Sequence, residues 1–208
     1  MRCAAALLAL ALLACGGGGG HAAPSVLPDA STPRPPAVQE PAPHAPPARL
    51  AIPRIGVDAA VERVATDASG AMGVPADYHD AAWYGPGVVP GDPGDAVIDG
   101  HLDWVVGGRD VPAVFWSLAT LQPSDEIDVT THDGQVLAFS VVTAERIPAD
   151  ADAGAHGLFD PSGTPRLTLI TCAGQWSAPQ RRYLERLAVT AVLRAPSAWP
   201  SPVQVPPA

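Results

Sequence analysis

The chain has 208 residues and a net charge of −9, with 21 acidic side chains against 12 basic ones, and every basic one is arginine. That balance excludes a nucleic-acid binder built on a basic face, which must displace counterions from phosphates. Apolar residues make up 47% and charged residues 16%, which excludes a chain disordered throughout.

Residues 1–14 carry one positive charge, Arg2, followed by an apolar run over 4–14 that is too short to cross a bilayer as a helix. The run has the length of a signal-peptide core. It closes on Leu12-Leu13-Ala14-Cys15, which resembles the lipobox of bacterial lipoproteins. The resemblance implies cleavage before Cys15 and a diacylglyceryl group on its sulfur. Cys3 then leaves with the signal, and Cys172 is the one free thiol of the mature chain. An exported domain with an unpaired cysteine has no disulfide to account for it, which points to a reactive thiol. Residues 15–48 are Gly-rich and then Pro-rich, with nine prolines between Pro24 and Pro47, and read as a solvated tether of polyproline character. Five further prolines from Pro196 to Pro207 mark 196–208 as a tail, which leaves 49–195 as the folded domain. The expected address is extracytoplasmic, on the outer face of a cell membrane, through the lipid anchor.

Within the domain, short apolar runs alternate with Gly, Pro and Asp. Residues 50–57 and 60–64 read as strands, with Pro53 marking the first as an edge or a bulge. Residues 95–101 form another, built on Ala96, Val97 and Ile98. One short helix is expected over 114–121. Strands over 126–131 and 135–144 flank His132-Asp133-Gly134, a hairpin signal, and strands over 167–172 and 183–193 complete the set. This spacing predicts an all-β fold, a closed or nearly closed barrel with one or two short helices. Alternation in the last strand puts Leu184, Arg186, Ala188 and Thr190 on one face, and Tyr183, Glu185, Leu187 and Val189 on the other.

Three pieces carry chemistry. Val97-Ile98-Asp99-Gly100-His101-Leu102-Asp103 is a strand ending in histidine. Thr168-Leu169-Ile170-Thr171-Cys172 is a strand ending in the lone thiol. Arg181-Arg182-Tyr183-Leu184-Glu185-Arg186 enters the final strand. A cysteine nucleophile needs a partner for its proton and a donor for the oxyanion, and His and Arg supply those roles. The segment Thr168 to Cys172 resembles the TLxTC signature of sortases, the cysteine transpeptidases of the Gram-positive-type cell surface. Gly100-His101-Leu102-Asp103 is similar to the pattern of class F and related actinobacterial sortases. So are the run from Leu50 to Val57, the Trp83-Tyr84 pair, and Pro90-Gly91. The resemblance implies an eight-stranded sortase barrel with His101, Cys172 and an arginine around one groove. Arg186, just before the apolar part of the last strand, fits that role better than the alternative, Arg182. Asp99 departs from the small apolar residue usual there; facing the site it would raise the histidine's pKa.

The resemblance also implies the reaction. Cys172 attacks the threonine carbonyl of an LPxTG-like sorting signal near the C-terminus of a secreted protein. The acyl group passes to a peptidoglycan amine or another amine acceptor, and no cofactor is needed. Asp103, Trp104 and Thr171 are candidate groove residues, Trp104 because it follows the histidine so closely. The connection over 146–166 should wall the groove. Its Asp150, Asp152 and Asp160 read as solvated loop charge rather than a calcium site, and no Cys/His spacing resembles a structural zinc site. Two other readings remain. An L,D-transpeptidase would place its histidine shortly before a Gly-Cys pair, whereas Thr171 precedes the cysteine here. A surface lipoprotein that kept the barrel only for binding would not need the Cys, His and Arg set.

Overall fold

The computed structural model describes residues 42–68 and 70–195. The signal segment, Cys15, most of the tether and the tail from 196 lie outside the described residues. Ten strands and three single-turn 3-10 helices make up the domain. Eight strands close a barrel in the order β1-β2-β3-β4-β9-β10-β8-β7. They are β1 (Pro47–Ile52), β2 (Val57–Val64), β3 (Ala81–Tyr84), β4 (Asp95–Gly100), β7 (Glu126–Thr131), β8 (Val136–Pro148), β9 (Arg166–Ser177) and β10 (Arg182–Leu193). The β2–β3 and β4–β9 pairs are parallel and the other neighbours antiparallel. The remaining two, β5 (Asp103–Val106) and β6 (Arg109–Pro112), form a hairpin outside the barrel.

The barrel expected from the sequence is present, and several boundaries differ for physical reasons. Residues 50–57 are not one strand. Pro53 cannot donate to a ladder and instead starts a 3-10 turn over Pro53–Ile55, which Gly56 ends at φ 68°; β1 and β2 then pair as a hairpin. The expected helix over 114–121 shrinks to one 3-10 turn, Leu118–Thr120. Phe115 and Leu118 are drawn fully into the barrel, and the Phe115 amide donates to the His101 carbonyl (3.0 Å) instead of joining a helix. The turn at His132-Asp133-Gly134 is found, with Gly134 at φ 86°. β1 begins at Pro47, and His44 donates its backbone N–H to Asp92 (3.0 Å), so the folded chain starts a few residues earlier than 49.

The core is the barrel lumen. Leu50, Ile52, Ile98, Phe139, Leu167 and Leu169 are fully buried there. A smaller apolar cluster lies on the outer face of β4, β9 and β10, where Val97, Ile170 and Ala188 meet Ile147 and Leu158. That outer face carries the site.

Candidate active site

Strand register brings the three chemical pieces together. The β4–β9 ladder ends with Asp99 opposite Ile170, and two residues further along each chain stand His101 and Cys172. Across the antiparallel ladder Cys172 pairs directly with Arg186, and Ile170 pairs with Ala188. Because side chains alternate, Ile98, Leu169 and Leu187 point into the lumen, while Asp99, Ile170, Cys172, Arg186 and Ala188 share the outer face. One row therefore holds His101, Cys172 and Arg186, and the row beneath holds Asp99, Ile170 and Ala188.

The backbone around His101 is gripped from several sides. Thr171 Oγ1 donates to the Gly100 carbonyl (2.7 Å), which fixes the end of β4 against β9. Ala113 and Phe115 donate to the carbonyls of Leu102 and His101. Gly100 makes this possible, since a Cβ there would meet the Phe115 ring at 2.5 Å. The imidazole Nε2 lies 3.2 Å from the Pro75 carbonyl. A carbonyl only accepts, so Nε2 carries a proton and Nδ1 is left without a partner among the described residues. The Trp104 ring stands 4.8 Å from the imidazole and stacks on Tyr78.

Cys172 is half-buried and free of disulfide. Burial pushes its thiol pKa up, Arg186 opposes that rise, and Asp99 and Asp103 add to it. Arg186 uses Nη1 on the carbonyls of Glu185 (3.0 Å) and Tyr183 (3.5 Å). Its Nε and Nη2 donors make no hydrogen bond among the described residues. Two cavities flank the row. One of about 780 Å³ is lined by His101, Cys172, Asp103, Trp104, Trp176 and Tyr183. The other, of about 580 Å³, is lined by Arg186, Asp99, Ile170, Tyr84, Leu158 and Phe159. The arrangement offers a thiol, a nitrogen base and a cation side by side between two hollows, which suits acyl transfer on an extended chain.

The other candidates fall out as follows. Asp103 accepts a hydrogen bond from the Tyr183 hydroxyl, which pushes the phenol pKa up to about 12. Thr171 is buried, and its hydroxyl is spent on Gly100, so it orders the floor of the site and offers no donor to a groove. Arg182 pairs with Ser177, bonds Gln180 and lies 4.0 Å from Asp150, away from Cys172. A bulge in β9 puts one extra residue between Ala173 and Trp176, where Gly174 takes φ 77°, and sets Trp176 opposite Tyr183 beside the site. Tyr183 and Trp176 at the site were therefore missed, and the signal that could have found them is Gly174, a glycine inside the strand. Of the loop acids, Asp152 and Asp160 accept from nearby backbone amides, and no group of three metal-ligating side chains forms among the described residues.

The sortase domain family matches residues 50–194, a span that contains His101, Cys172 and Arg186. The chain belongs to the sortase family. Sortases are cysteine transpeptidases. The barrel is similar to those of solved sortases, at identities that speak to fold alone. Sortase A from Corynebacterium diphtheriae (a lid mutant) matches at a TM-score of 0.55 and 21% identity, covering 76% of this chain and 74% of that one. Sortase C-1 from Actinomyces oris matches at 0.53 and 21%, covering 71% and 73%. Sortase C from Clostridium perfringens matches at 0.53 and 16%, covering 72% and 70%. No curated protein matches by sequence comparison.

Proposed function

We propose that this chain is a class F-like sortase, held through a lipid on Cys15 at the outer face of the cell membrane, that cleaves LPxTG-like sorting signals between Thr and Gly. The observation that supports this most is the single row of His101, Cys172 and Arg186. The Cys172 sulfur forms a bond to the threonine carbonyl carbon while the thiol proton passes to His101 Nδ1. The oxyanion so formed takes the free Nε and Nη2 donors of Arg186. The C–N bond then breaks, His101 returns the proton to the departing glycine amine, and a thioester remains. A second amine attacks the thioester, loses its proton to His101, and regenerates the thiol.

Burial pushes the Cys172 pKa up, so a base for its proton matters more here than for an exposed cysteine. The acceptor is a peptidoglycan amine or another amine. The chain has no lysine and so cannot be its own lysine-linked acceptor. The test is transfer of an LPxTG-type peptide to a simple amine by the full chain. Cys172→Ala and His101→Ala should each abolish the product while circular dichroism stays that of the parent. Turnover at the parent rate by either variant contradicts the assignment.

A further inference from the structure

The groove on the Arg186 side is a largely apolar trough, lined by Ile170 and Ile147 and by Leu158 and Phe159, with one carboxyl opening into it. That carboxyl is Asp99. It stands one row below His101, Cys172 and Arg186, which is about 7 Å along the strands. Among the described residues it makes no hydrogen bond and no ion pair, and its electrostatic neighbour is Arg186. Loss of water there pushes its pKa up to about 7. Asp95, earlier on the same strand, is also pushed up by burial, but its Oδ1 accepts the Thr168 hydroxyl at 2.8 Å while its Oδ2 has no partner among the described residues.

Arg186 is a poor permanent partner for Asp99. One of its nitrogens is held by two backbone carbonyls, and in the reaction proposed above its free donors turn to the oxyanion. A carboxyl that loses water without gaining a partner is costly in the empty groove, and a bound cation would remove that cost. The apolar walls suit the aliphatic stem of a long basic side chain. An extended peptide advances about 3.3 Å per residue, so a basic residue just before the threonine covers about half of the 7 Å along the chain, and its long stem covers the rest. The net charge of −9 adds a general pull on basic segments.

Resting on the transpeptidase reading, we propose that Asp99 is a specificity-determining residue that receives a Lys or Arg side chain of the sorting signal, at the variable position just before the attacked threonine. This sortase would thus prefer basic sorting signals over neutral or acidic ones.

The experiment uses the full chain and LPxTG-type peptides that differ only at the variable position just before the threonine, with Lys, Ala or Glu there. The readout is kcat/KM for each. The Lys peptide should exceed the Ala peptide by about tenfold or more, as a charge-assisted hydrogen bond allows, and the Glu peptide should be slowest. D99N keeps the shape, and it should bring the Lys-to-Ala ratio close to one. Asp99→Arg should favour the Glu peptide. A purely structural role would slow all three peptides alike and leave their ratios unchanged, which would overturn the proposal. So would turnover without charge preference in the parent. Absence of turnover with every peptide would contradict the transpeptidase reading itself, and this inference would fall with it.

Discussion

At the scale of single residues, Arg186 is the position where geometry separates two arginines of one strand. It faces Cys172 across the ladder with two donor nitrogens free, whereas Arg182 is drawn toward Gln180 and Asp150. Arg186→Ala should lower kcat/KM by about 10²–10³, the usual worth of one oxyanion donor, and Arg182→Ala by much less. Steady-state kinetics of the two variants check this, and the reverse order would move the role to Arg182. Asp99 gives a pH prediction. Its carboxyl pKa is raised by burial to about 7, so the folded chain holds that proton more tightly than the unfolded one. Stability therefore falls as pH climbs from the ordinary Asp range to about 7, and the penalty is constant above that. Asp99→Asn should raise the melting temperature at pH 8 and leave it nearly unchanged below pH 4. Equal shifts at both pH values would mean that the charge carries no such cost. A residue that destabilises the empty protein at neutral pH fits a binding role.

At the scale of elements, the site depends on where strands stop. β4 ends at Gly100, whose lack of a Cβ leaves room for the Phe115 ring, and His101 follows directly. Much of this was legible beforehand. The apolar runs in residues 95–101 and 167–172 located the two strands that bring the histidine and the thiol, and the resemblance put both around one groove. β4 ends at Gly100, and β9 runs past Cys172 to Ser177, where its glycine and polar residues gave no apolar signal. Other parts were not legible. β3 is only four residues, Ala81–Tyr84, and three of them are buried, so it shows no period of two. The β5–β6 hairpin, joined by Gly107 and Gly108, exposes most of its side chains and carries charge, so its sequence reads as a loop. Residues 114–121 have apolar side chains at helical spacing, yet Phe115 and Leu118 serve the barrel lumen instead of a helix face. The orientation of Asp99 was open in the sequence because alternation gives two faces without saying which one borders a groove. The register with Ile170 and the outer apolar cluster decide it.

At the scale of the whole molecule, the chain combines a closed barrel with acidic composition and a proposed anchor. Closure of the barrel leaves none of its eight strands with an open edge, so only the short β5–β6 hairpin offers free strand edges to neighbouring proteins. The tether reading predicts that the mature protein fractionates with membranes and carries acyl mass on Cys15. Cys15→Ser should release the protein from the membrane fraction. A soluble mature chain cut elsewhere, with an unmodified Cys15, contradicts the anchor without touching the barrel or its chemistry.

The most direct test of the catalytic role of Cys172 is intact-mass spectrometry of the full chain after brief mixing with an LPxTG-type peptide library. A mass gain equal to the peptide through its threonine, located on Cys172, cleaved by hydroxylamine and missing in Cys172→Ala, is the predicted result. A Cys172 thiol that alkylates readily yet takes no acyl group from any member of the library would contradict it, and would favour a sortase barrel kept for binding alone.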